Sequence, residues 1–141
     1  MQIGDIYRDE QFYTDGQTGQ LKPKYLLVLA VPPKGDIVAR LITSKHETLR
    51  SENPPCHHGD PYPGFYLGIP GGALGKKSWL DLRRFDDLDA DTFHRRMSKQ
   101  IIRLVQRIEG QLLRQALQCA AAAEDTTRLQ ERHMRDALAR L

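Results

Sequence analysis

The sequence predicts a mainly β fold with a C-terminal α portion: a small β-barrel over residues 1–92, then a long helical extension over 93–141. Three observations predict it. Short apolar runs alternate with Gly- and Pro-bearing turns through the first two thirds of the chain. From about residue 89 the apolar positions recur every three or four residues, which is the helical period. Four of the eight prolines fall between residues 44 and 63, where they exclude a helix or a central strand.

The elements follow in order. Gly4-Asp5-Ile6-Tyr7 opens a short strand, and the polar, glycine-bearing stretch 9–21 reads as a long exposed loop. Lys24 to Ala30 is nearly continuously apolar, as a strand buried on both faces requires. Pro32-Pro33-Lys34-Gly35-Asp36 is turn chemistry, because proline presets φ and glycine supplies positive φ. Ile37 to Thr43 then returns as the second arm of a hairpin. Residues 44–63 form a long connection, Phe65 to Ile69 a strand, Gly71 to Gly75 a turn, and Ser78 to Leu82 a strand with alternating apolar positions. Asp89 or Asp91 caps a helix over about 91–123, with Phe93, Met97, Ile101, Leu104, Ile108 and Leu112 on one stripe. Asp125-Thr126 breaks it, and a last helix covers about 127–141.

Composition bounds the function classes. The 141 residues, 40% hydrophobic and 28% charged, suit one ordinary core and not a disordered chain. The longest apolar run, Tyr25 to Val31, is far short of the roughly 20 residues that cross a bilayer. The N-terminus lacks the basic and apolar regions of a signal peptide, so a cytoplasmic location without membrane contact is expected. Cys56 and Cys119 lie far apart in unlike contexts, which predicts free thiols in a reducing compartment and no disulfide framework. Residues 1–92 hold 11 Lys/Arg against 13 Asp/Glu, a net of −2, whereas 93–141 hold 10 against 5, a net of +5. The basic excess therefore belongs to the tail, as an anionic partner would require.

Four motifs bear on chemistry. Gly71-Gly72-Ala73-Leu74-Gly75-Lys76-Lys77-Ser78 approaches a phosphate loop, but Lys77 stands where Ser or Thr is needed and a strand follows instead of a helix. It reads as a turn, and no cofactor is expected. Cys56-His57-His58-Gly59-Asp60, with His46 upstream, offers metal-ligand residue types without paired ligand spacing, so no metal is expected. Arg96, Arg103, Arg107 and Arg114 fall within about 40° of one another on a helix. They read equally as a phosphate-binding face and as a solvated face, and such a face also suits an acidic segment of a partner protein. Tyr7, Phe12 and Tyr13 flank the polar loop, where an aromatic ring can stack on an unpaired base; Tyr66 and Trp79 read as core.

Taken together, Gly4-Asp5-Ile6-Tyr7, Lys22-Pro23 before an apolar strand, Leu41-Ile42-Thr43-Ser44 and Ser78-Trp79-Leu80-Asp81-Leu82 make residues 3–108 resemble the MazF/PemK (CcdB-like) toxin family. The resemblance implies an SH3-like β-barrel, usually dimeric. It also implies metal-independent cleavage of single-stranded RNA and inhibition by an acidic antitoxin. Lys22 stands where the family has an arginine, and Thr43 matches the family threonine. Lysine supplies charge but lacks the bidentate fork that fits phosphate. Cleavage through the 2′-hydroxyl needs a base, an acid and positive charge on the phosphorane. His46, His57 and His58 are candidates for the acid or base, since imidazole titrates near neutrality. Lys22 and Thr43 complete the candidate catalytic set. RNA contacts are expected from Lys24, Ser44 and Lys45, and from the four arginines. The alternative reading is a non-catalytic module that binds nucleic acid or a partner protein through its basic tail.

Overall fold

The computed structural model describes residues 1–44 and 52–141. Among the described residues, seven strands form one sheet: β1 (Asp5–Thr14), β2 (Leu21–Ala30), β3 (Val38–Thr43), β4 (Cys56–His57), β5 (Gly64–Gly68), β6 (Ser78–Asp81) and β7 (Ile102–Arg107). Three helices accompany them: α1 (Ala90–Ser98), α2 (Gly110–Ala122) and α3 (Arg128–Ala139). The strand order is β4-β5-β6-β3-β2-β1-β7, and every pairing is antiparallel. The mainly β fold with a C-terminal α portion is thus present.

The sheet is open, with β4 and β7 as its edges, so strand pairing does not close the expected barrel. It does curl. Gln106 on β7 donates from Nε2 to the Gly71 carbonyl and accepts at Oε1 from the Ala73 amide, which brings the turn before β6 against the opposite edge.

Side-chain alternation sorts the core onto two faces. Ile6, Leu27, Leu29, Val38 and Leu80 meet α2 and α3 through Leu113, Ala116, Leu117, Ala120, Met134 and Ala137. Tyr7, Leu26, Val28 and Ile37 meet Phe93 of α1, together with Ile102. Small alanines on α2 let that helix lie close against the strands. The α2–α3 pair therefore completes the main core rather than extending beyond it.

Three expectations need correction. The stretch 9–21 is not a loop: β1 runs on to Thr14, a bulge lies between Asp9 and Tyr13, and only a turn pinned by Asp15 separates it from β2. The proline-rich connection contains the short strand β4. The helix expected over 91–123 is interrupted. α1 ends at Ser98 with Lys99 as its C-cap, Gln100 adopts φ +61°, and the chain returns as β7 on the free edge of β1. Leu104, three residues after Ile101 and four before Ile108 on the expected stripe, falls within Ile102–Arg107, where cross-strand hydrogen bonds to β1 outweigh local helical preference. The last helix forms as expected, with Thr127 and Gln130 in a reciprocal capping box.

Gln130 also serves the only fully buried arginine among the described residues. Arg40 donates to Gln130 Oε1 at 3.0 Å and to the Ala39 carbonyl at 2.8 Å, and Gln130 Nε2 donates to Asp87 at 2.7 Å. Burial pushes the Arg40 pKa down, and the charges of Asp87, Asp81 and Asp125 oppose that shift.

Candidate nucleic-acid interface

The expected site residues separate into three places. Lys22, Lys24, Thr43 and Ser44 gather at one end of the sheet. On β2, Lys22 lies opposite Tyr13 and Lys24 opposite Asp9; on β3, Thr43 lies opposite Trp79 of β6, which in turn faces Tyr66 of β5. Directly opposed residues share a face. Lys22 and Lys24 are two apart on β2 and so point the same way. The Lys24 ammonium sits 5.9 Å from the centre of the Tyr13 ring, within cation–π range. The Tyr66 and Trp79 rings lie 5.0 Å apart, tilted by 42°. The result is a run of aromatic and cationic side chains across β1, β2, β3, β6 and β5.

The opposite face at this end carries Tyr25 and Ile42, which are paired across β2 and β3. They line an open pocket of about 440 Å³ with Ser44, Leu74, Lys76 and Ser78. The glycine turn that approaches a phosphate loop forms one wall, held by mutual Gly71–Leu74 backbone hydrogen bonds of 3.0 and 2.9 Å. Arg8 reaches the same region. It donates from Nη1 to the Tyr25 hydroxyl at 3.1 Å, and its Nε lies 2.8 Å from Glu10, close but not aligned for a hydrogen bond. The Tyr25 hydrogen bond raises the Arg8 pKa, so its charge is constant at any working pH.

His57 and His58 lie at and just beyond β4, the far edge of the sheet, four strands from β2. The His57 Nε2 is 2.6 Å from the Asp60 carbonyl oxygen. The His58 Nε2 is 3.1 Å from Cys56 Sγ and 3.9 Å from Cys119 Sγ. The fold does not join these two histidines to Lys22 and Thr43. Lys45 and His46 lie outside the described residues.

The four arginines do not share a helical face, because they lie on three different elements. Arg96 on α1 makes a bidentate pair with Asp9 at 2.7 and 2.9 Å. Arg103 and Arg107 on β7 pair with Glu10 at 3.1 Å and Asp5 at 2.6 Å. Arg114 on α2 donates to the Leu141 carbonyl at 3.2 Å. Three of the four are thus neutralised by the acidic residues of β1. Asp5 also accepts from the Tyr7 hydroxyl, and burial together with the Asp5 charge pushes that phenol up to about 12. Sequence reasoning missed these partners. The available signal was Asp5 and Asp9 in a strand otherwise destined for burial, where a carboxylate requires a cation.

It also missed a pairing. Cys56 and Cys119 are joined as a disulfide, Cα to Cα 5.7 Å, which corrects the expectation of separate thiols. β4 lies against α2, and that contact brings together residues 63 positions apart. No helix among the described residues is long and apolar enough to cross a membrane. Comparison with known proteins finds no match among family models, curated proteins or solved structures.

Proposed function

We propose that the protein binds single-stranded RNA at the β2–β3 end of its sheet, as a MazF/PemK-like protein with an opened SH3-like barrel. The observation that carries this reading is the run Tyr13, Lys22, Lys24, Thr43 and Tyr66 across neighbouring strands, with the buried Trp79 packed against Tyr66 as its support and not as a stacking surface. Unpaired bases stack on aromatic rings, and phosphates between them need cations at strand spacing. Arg96, Arg103 and Arg107 contribute little, since acidic residues of β1 already occupy them.

Cleavage is the further step of the same reading. Lys22 supplies charge to the phosphorane and Thr43 a hydrogen bond, with no metal. The 2′-oxygen bonds to phosphorus and the 5′-oxygen leaves, giving a 2′,3′-cyclic phosphate and a 5′-hydroxyl. A homodimer, a cytoplasmic location and an acidic antitoxin segment that competes for the lysines belong to this reading too.

The test is binding and cleavage of labelled single-stranded RNA in EDTA across a salt series. Binding that weakens with salt, with a slope lowered by about 1 for each of Lys22→Ala and Lys24→Ala, supports the interface. Cyclic-phosphate ends lost in Lys22→Ala support cleavage. Salt-independent binding, or wild-type slopes in both variants, refutes the interface. Binding without cleavage products leaves the non-catalytic module as the function.

A further inference from the structure

The cluster beside β4 lies apart from that interface. Three side chains from two distant parts of the chain converge there: Cys56 on β4 with His58 two residues on, and Cys119 on α2. Their donor atoms all lie within 4.8 Å of one another. The His58 Nε2 approaches both sulfurs, at 3.1 and 3.9 Å. A purely structural disulfide has no need of an imidazole nitrogen aimed at its two sulfurs. Once the disulfide is opened, two thiolates and this imidazole are a zinc donor set: tetrahedral ligands at about 2.0–2.3 Å from the ion sit roughly 3.5–3.8 Å apart, a spacing that the His58 distances of 3.1 and 3.9 Å to the two sulfurs bracket.

We propose that Cys56, His58 and Cys119 form a three-ligand zinc site in the dithiol form of the protein. The donor types favour zinc over calcium or magnesium, which take oxygen ligands. Cys119 is buried in the main core and Cys56 half-buried, whereas His58 is exposed. The protein thus supplies three ligands, and the fourth position opens to solvent on the His58 side. His57 is turned away to the Asp60 carbonyl and is not a ligand. Oxidised, the same two cysteines hold β4 to α2 by a sulfur–sulfur bond; reduced, they hold it through the metal. The two states exclude each other, because a disulfide has no thiolate to offer.

The site is reached by reducing the disulfide with a trialkylphosphine. The S–S bond breaks, the phosphine takes the oxygen of one water to become its oxide, and the two protons of that water end on the sulfurs. Zinc then displaces both thiol protons to the buffer.

The experiment uses the full chain, reduced with phosphine under argon and titrated with Co²⁺ and then Zn²⁺. Thiolate-to-cobalt charge-transfer absorption saturating at one ion per chain, bleached by Zn²⁺, is the expected result. His58→Ala should weaken the affinity by at least about tenfold, the loss that even changes outside the ligand set produce. His57→Ala should leave it unchanged. Because His58 is exposed, its removal leaves the fold intact, which the far-ultraviolet dichroism of the variant checks. No charge-transfer band in the reduced wild type, or equal affinity in His58→Ala, overturns the proposal.

Discussion

Among single residues, the arginines change meaning most. Arg96 is bidentate to Asp9, whose side chain is only 2% exposed. Removing one partner of such a pair leaves a buried charge without compensation. Arg96→Ala should therefore lower stability by about 3 kcal/mol in urea unfolding, with RNA affinity unchanged in conditions where the variant is folded. A residue that bound RNA would show the reverse. Tyr7 gives a pH dependence. Its folded pKa is raised from 10.0 to about 12, so the native state holds a proton that the unfolded state has released between those values. Stability is fully present below pH 10 and falls as pH rises toward 12. Phenolate absorbance should show one tyrosine ionising late, and Tyr7→Phe should remove that late step. Gly4 has φ +95°, and a side chain there would strike the Ile108 carbonyl oxygen. Gly4→Ala should cost about 2–3 kcal/mol, read as a lower urea midpoint.

At the scale of elements, α1 and the β4–α2 contact carry the predictions. Asp89 caps α1 by accepting from the Thr92 amide at 2.9 Å and hydroxyl at 2.6 Å, which lowers its pKa. A depressed carboxyl adds stability above its ordinary pKa and loses it as pH falls through the lowered value. Acid should thus loosen α1 first, visible as faster amide exchange at Thr92 and Phe93. The β4–α2 link closes a 63-residue span, worth about 4 kcal/mol in the chain-entropy picture. Reduction in EDTA should lower the melting temperature, and zinc should restore part of it only with His58 present. β2, β3, β5 and β6 were legible in the sequence because alternation and turn chemistry are local. β7 was not. Leu104 read with Ile101 and Ile108, which flank β7, continues the helical stripe of α1, and the open edge of β1 selects the strand.

At the scale of the molecule, the division at residue 92 is not a division of the core. The chain beyond it contributes Ile108, Leu113, Leu117 and Met134 to the same cluster as Ile6 and Leu29. A chain ending at Thr92 should show no cooperative thermal transition by circular dichroism, while the whole chain should show one. The candidate interface was partly legible: Lys22, Lys24, Thr43 and Ser44 do meet at one end of the sheet. The aromatic row was not, because Tyr66 and Trp79 come into line with Thr43 only through cross-strand register. By itself the sequence determined the mainly β fold with a C-terminal α portion, the strands β2, β3, β5 and β6, the last helix and the charge asymmetry. All of these rest on local periodicity, turn residues and composition. Only the tertiary structure decided that the basic tail faces an acidic strand, that Cys56 meets Cys119 and His58, and that 102–107 is a strand. Those outcomes depend on which distant segments lie side by side, and the free energy that chooses among them comes from burial and pairing across the fold.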